Sequence, residues 1–312
     1  MKRKRVLICL DRDGTIIDDN HYFLGSQKNW KNKIRFLPGV ILGLKLLKKK
    51  LPNALFYITT NQSGIAILDF PLLTEKRANE VNKYLLNLLK RKGIRFNGYE
   101  SCRYVSPDYV KENSEYNFDE NLIRNDPCRK PNPGMVKTIL KKHKLDKRNT
   151  NIYVLGDRAS DVQTALNISG FGILTPFKRK PEEVKKAKKI KSNHSYISKS
   201  FIDACEFIVK RETIYLYRFT TNGEGVFSAG KRLLPKELIF EVNERRKWLI
   251  KPNLFKGNYK FYLTEKGMKQ YKKTLYLSHK KYLPNIKMEK VEISGIKLII
   301  YEDEYQVVEK LV

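Results

Sequence analysis

Four short stretches of this chain carry side chains that can do chemistry together. In the first, Leu10-Asp11-Arg12-Asp13-Gly14-Thr15, two carboxylates one residue apart follow the apolar run Val6 to Leu10. Beyond the carboxyl end of a buried parallel strand, Asp11 and Asp13 would project into a ligand crevice. There they can hold a hard divalent cation and divide the work of nucleophile and acid/base. Taken alone, an Asp-x-Asp pair equally fits a solvated turn in which Gly14 supplies an unusual backbone angle. The second stretch, Thr59-Thr60-Asn61-Gln62-Ser63-Gly64, offers hydroxyl, amide and backbone N–H donors suited to phosphate oxygens, though by itself it is also an ordinary polar turn. The third, Cys128-Arg129-Lys130-Pro131-Asn132-Pro133-Gly134-Met135, sets Lys130 before a proline-marked helix start, where its charge can neutralise a transferring phosphoryl group. In the fourth, Leu155-Gly156-Asp157-Arg158-Ala159-Ser160-Asp161, Asp157 can complete a metal shell. Asp161 there can brace the loop or Lys130, cap the next helix, or do both.

The elements that must position these residues alternate between strands and helices. Val6 to Leu10, Leu55 to Thr59 and Ile152 to Leu155 read as strands buried on both faces. Helical patterns lie between them: Val40, Ile41, Leu44 and Leu47; Ala78, Val81, Leu85, Leu88 and Leu89 behind a Thr74 cap; Pro133 to His143; and a helix opening near Ser160. The fold expected is α/β, a doubly wound parallel sheet without a large cap, over residues 1–210. A basic α+β accessory domain over 211–312 completes it, with a strand at Ile214 to Phe219, a helix around Lys236 to Trp248, a Thr264-capped helix running towards Tyr282 and a final strand at Lys297 to Tyr301.

In this order and setting, the four stretches resemble the haloacid dehalogenase (HAD) superfamily of phosphohydrolases, over nearly all of residues 5 to 210. Leu10 to Thr15, Thr60-Asn61-Gln62-Ser63-Gly64-Ile65-Ala66 and Cys128 to Met135 look most like its heptose bisphosphate and histidinol-phosphate phosphatase branch. The resemblance implies that Asp11 attacks phosphorus and Asp13 serves as acid and base. It also implies that Thr60, Asn61 and Lys130 hold phosphoryl oxygens, that Asp11, Asp13 and Asp157 bind Mg²⁺, and that Asp161 supports them. Arg129 and Arg158 are further candidates for touching substrate; Arg158 stands where that branch usually has lysine. The branch commonly carries a structural zinc loop, but here only Cys102 and Cys128 remain of it, so no structural zinc is expected and the two cysteines are read as remnants or small packed residues. The acidic, tyrosine-bearing loop Ser106 to Asn125 borders the expected site and leaves substrate choice open.

Sixty-three Lys and Arg against thirty-three Asp and Glu give a formal charge of +30, which favours anionic partners without separating nucleic acid from solvated lysine-rich helix faces. The apolar run after Met1-Lys2-Arg3-Lys4-Arg5 is cut short at Asp11, too soon for a signal peptide, and no run approaches the ~20 apolar residues of a membrane span. Four scattered cysteines suggest no disulfide framework, so a cytoplasmic setting is expected. The leading expectation is a phosphatase acting on a phosphorylated sugar or similar metabolite. The alternative is a polynucleotide 3′-end phosphatase whose C-terminal domain binds nucleic acid. Phe261-Tyr262-Leu263-Thr264-Glu265-Lys266-Gly267 superficially looks like the strand-to-helix edge of a winged helix.

Overall fold

The computed structural model describes residues 4–19, 23–178, 180–255, 257–293 and 298–311. The chain divides into two compact units, one ending at Arg211 and the other beginning at Glu212.

The first unit is built on six parallel strands, β1 (Arg5–Leu10), β2 (Leu55–Asn61), β3 (Gly98–Cys102), β4 (Thr150–Gly156), β5 (Phe171–Leu174) and β6 (Ser195–Ile197). They lie in the order β3-β2-β1-β4-β5-β6. Central β1 is covered on both sides, which is why it reads as one apolar run rather than an alternation. Ile8 and Leu10 pack under Val40, Leu44 and Leu47 of α1 (Val40–Lys50) and under Val81 and Leu85 of α2 (Glu75–Arg91). Leu7 and Cys9 face the opposite layer, with Val136 and Ile139 of α4 (Gly134–Lys142), which follows the short α3 (Pro107–Glu112). The Thr74 hydroxyl caps α2 by accepting the Arg77 N–H at 3.2 Å, as its position predicts. Helices α5 (Ala159–Leu166), α6 (Pro181–Lys189) and α7 (Phe201–Glu212) complete the layers. The chain runs outward through β2 and β3, then returns to β4 on the other side of β1. This reversal opens a crevice at the carboxyl ends of β1 and β4.

The second unit is α+β. Its antiparallel sheet has the order β10 (Lys287–Glu292), β7 (Tyr215–Thr221), β9 (Tyr259–Leu263), β12 (Gln306–Lys310), β11 (Ile299–Glu302), with β8 (Glu224–Gly225) against β7. Helices α8 (Val226–Leu233), α9 (Lys236–Arg245), α10 (Glu265–Thr274) and α11 (Tyr276–Tyr282) contribute to a core with Phe219 and Leu263. Three expectations need correction. The helix after Thr264 is two helices, broken at Leu275, whose backbone leaves the helical region. The strand near Lys297 begins at Ile299, Lys297 itself lying outside the described residues, and β12 follows it as the true last strand. The strand-to-helix step at Leu263 and Thr264 is present, but it belongs to this large antiparallel sheet rather than to a winged helix. Among the described residues, no helix is long and apolar enough to cross a membrane.

Candidate active site

The four stretches converge at the carboxyl edge of the parallel sheet. Asp11 leaves the end of β1, where its N–H donates to the Leu155 carbonyl at 2.8 Å. Lys130, on the loop before α4, inserts its ammonium between two acids and donates to Asp11 Oδ1 and Asp161 Oδ1, each at 2.5 Å, and to the Thr59 carbonyl at 3.1 Å. Lys130 is itself fixed by Asn61, whose Oδ1 accepts the Lys130 N–H at 3.0 Å while its Nδ2 donates to the Lys130 carbonyl at 3.3 Å. The Asn61 side chain is therefore spent on positioning Lys130. Thr60 is buried, and its hydroxyl oxygen accepts from Gln62 Nε2 at 2.8 Å. Asp161 also meets the start of α5, where its second oxygen accepts the Arg158 N–H at 3.2 Å. The Arg158 side chain is exposed. Arg129 donates to Ser63 Oγ at 3.0 Å and to the Tyr104 carbonyl at 2.9 Å, with its guanidinium 4.6 Å from the Tyr109 ring centre.

Asp157 is buried at the end of β4. One oxygen accepts from Lys180 Nζ at 2.7 Å, while Oδ1 has no hydrogen-bond partner. A buried carboxylate oxygen left bare is costly unless a cation meets it. Asp11, Asp157 and Asp161 each offer an oxygen within 4.8 Å of the others, so the donor set suits a hard divalent ion. Gly14 makes room for this arrangement. Its φ is +78°, and a Cβ there would stand 2.4 Å from Asp157 Oδ2. Asp13 lies outside the cluster and half-exposed; Arg12 Nε donates to both its oxygens at 3.1 Å, and Gln62 Nε2 donates to Oδ2 at 3.2 Å. The Asp13 carboxylate is thus engaged by Arg12 and Gln62 rather than grouped with Asp11, Asp157 and Asp161.

Burial, reinforced by Asp161, Asp157 and Asp13, outweighs Lys130 and raises Asp11 to about 7. Burial also pushes Asp157 upward, against the pull of Lys180. For Lys130 burial works against the charge, but Asp11 and Asp161 prevail and hold its pKa above the ordinary lysine value. Several supporting groups were not singled out from sequence. Arg12, 1% exposed, also donates to Asn82 Oδ1 at 2.8 Å and Gln62 Oε1 at 2.9 Å. Lys180 bridges Asp157 and Asp19, the latter at 2.9 Å.

The cysteines require a correction. Cys102, at the end of β3, and Cys128, two residues before Lys130, form a disulfide rather than packing as separate thiols. With Asp126 they make a group of potential metal ligands, but both sulfurs are consumed by the bond. Unpaired cysteines no longer support the expectation of a reducing compartment. Cys9 and Cys205 are free and buried.

A family profile described as polynucleotide kinase 3 phosphatase matches residues 6–210. The histidine biosynthesis bifunctional protein HisB of Buchnera aphidicola subsp. Schizaphis graminum is 31% identical over 170 residues, 54% of this chain and 41% of that protein. A D-glycero-beta-D-manno-heptose-1,7-bisphosphate 7-phosphatase of Rhodopseudomonas palustris is 30% identical over 170 residues, covering 54% of this chain and 83% of that protein. The chain thus spans about two fifths of the bifunctional relatives it matches. Among solved structures, D,D-heptose 1,7-bisphosphate phosphatase from B. bronchiseptica, complexed with magnesium and phosphate, shares the fold with a TM-score of 0.50 at 20% identity, over 66% of this chain and 98% of that one. With the strand-end acids in place and the profile spanning the whole parallel-sheet unit, the chain belongs to the polynucleotide kinase 3 phosphatase family of the HAD superfamily of phosphatases.

Proposed function

We propose that this chain is a magnesium-dependent phosphomonoester hydrolase working through an aspartyl-phosphate on Asp11. The observation that carries the reading is the Asp11–Lys130–Asp161 chain beside the bare oxygen of Asp157. Asp11 and Asp157, with the backbone of Asp13, would hold Mg²⁺, which supplies Lewis-acid neutralisation of phosphoryl charge when bound. An Asp11 oxygen attacks phosphorus and the ester P–O bond breaks, while Asp13 gives the leaving oxygen its proton. Water then attacks the aspartyl-phosphate, Asp13 takes the proton, and phosphate and free Asp11 are restored. The partial exposure of Asp13, and the hydrogen bonds by which Arg12 and Gln62 orient its carboxylate, support this role. Lys130 offsets charge on the phosphoryl oxygens beside the Thr60 hydroxyl.

The substrate that the relatives favour is a phosphorylated sugar or related small metabolite. One of them is a heptose bisphosphate phosphatase covered over most of its length. The matching family's own description favours a second reading, a phosphatase of polynucleotide 3′ ends. Phosphate release from sugar phosphates and from 3′-phosphorylated oligonucleotides, with and without Mg²⁺, separates the two. Release that persists in Asp11→Asn would remove the whole assignment.

A further inference from the structure

The second unit contains a cavity of about 430 Å³, within the range of small-molecule sites. It lies where β7 and β9 part. A single residue pair, Tyr217 with Leu263, joins these strands. The lengths beyond that pair, Arg218-Phe219 and Tyr259 to Tyr262, line the cavity instead, and the segment from Leu249 to Leu254 borders it.

The lining carries Arg218, Lys231, Arg246, Lys251 and Lys260 but no Asp or Glu. Arg218 reaches Glu289 at 3.5 Å, whereas among the described residues the other four make no ion pair. Arg218 and Lys260 alternate onto the other face of the sheet from Phe219, Phe261 and Leu263, which leaves Lys231, Arg246 and Lys251 beside the aromatic side of the cavity, and the field these three focus favours an anion. The same wall presents flat apolar surface. Tyr259 and Phe261 alternate onto the face of β9 that carries Leu263, and Phe261 is 45% exposed although it lies on a strand. Phe227 lines the cavity from α8, with the Arg246 guanidinium 5.6 Å from its ring centre. Unpaired cations beside open aromatic faces suit a ligand that combines phosphate with a planar ring.

We infer that this cavity is a nucleotide site, separate from the phosphatase centre, that takes a nucleoside phosphate either free or as the end of a single strand. Calorimetry on the full chain carrying Asp11→Asn, in EDTA, tests binding without turnover or metal uptake in the first unit. The probes are adenosine monophosphate, ribose 5-phosphate and a short 5′-phosphorylated single-stranded oligonucleotide. Adenosine monophosphate should bind about tenfold or more tighter than ribose 5-phosphate, and Phe261→Ala should erase that advantage. Lys231→Glu should weaken all three. Both variants alter exposed side chains, and unchanged melting of each would show that folding is kept. Oligonucleotide binding that is tighter and falls steeply with salt identifies a strand as the ligand, while equal affinity identifies the free nucleotide. Absence of binding by adenosine monophosphate and oligonucleotide, equal affinity for ribose 5-phosphate, or variants that leave affinity unchanged would overturn the proposal.

Discussion

Replacing Asp11 by Asn should make the metal-free protein more stable while abolishing turnover. Asp11 is buried among three other carboxylates, and its pKa rises from 3.8 to about 7. Between those values the folded chain binds a proton that the unfolded chain has released, so stability falls as pH rises through that window. At 1.36 kcal/mol per unit, holding Asp11 ionised costs about 4 kcal/mol above neutrality. Asparagine keeps the shape without the charge, and Lys130 retains Asp161 as its counter-ion. The gain should therefore be about 4 kcal/mol near pH 8 and shrink to about 2 kcal/mol near pH 5.

Urea unfolding followed by fluorescence can read this in one unit, because Trp30 is buried in the first and Trp248→Phe removes the signal of the second. Separate readout matters because two units need not unfold together. Added Mg²⁺ should stabilise the native enzyme by mass action and the variant much less. An Asn variant less stable than the parent near pH 8, or a difference independent of pH, would refute the claim that Asp11 is a strained charge.

Lys130→Met should have the opposite sign, destabilising the first unit by about 3–5 kcal/mol because Asp11 and Asp161 are left buried without their cation; the same urea titration measures it. Replacing Cys102 and Cys128 by Ser opens a 26-residue loop and should lower stability by about 3–4 kcal/mol, an effect that reductant should reproduce in the parent but not in the variant. In the second unit, burial lowers buried His279 from 6.5 to about 4. Across that interval the unfolded chain takes up a proton that the folded unit refuses, so acidification from 6.5 to 4 should remove about 3 kcal/mol, read from Trp248 fluorescence and flattened in His279→Gln.

Which parts of this architecture can be read from sequence depends on how local their causes are. Strands β1, β2 and β4 are legible because burial on both faces demands unbroken apolar runs. Edge strands β3 and β6, Gly-Tyr-Glu-Ser-Cys and Ser-Tyr-Ile, are partly exposed, and they carry no such signature. The strand-end acids Asp11 and Asp157 are legible for the same local reason, since a strand end followed by Asp fixes where the side chain must go.

Their supports follow a different logic. Arg12 can be buried because, besides its neighbour Asp13, Gln62 and Asn82, 50 and 70 residues away, accept its hydrogen bonds. Lys180 differs from its lysine neighbours only in meeting Asp157 and Asp19. Asn61 reads as a phosphate donor until the Lys130 backbone, 69 residues on, takes both ends of its amide. In each case the residue type sets the capacity to bond, and the fold decides what receives it. The place of a strand-end carboxylate such as Asp11 or Asp157 survives that uncertainty because the strand itself sets where it emerges. The bonds of Arg129 do not, because its partners, the Ser63 hydroxyl, the Tyr104 carbonyl and the Tyr109 ring on α3, are assigned only by the folded chain.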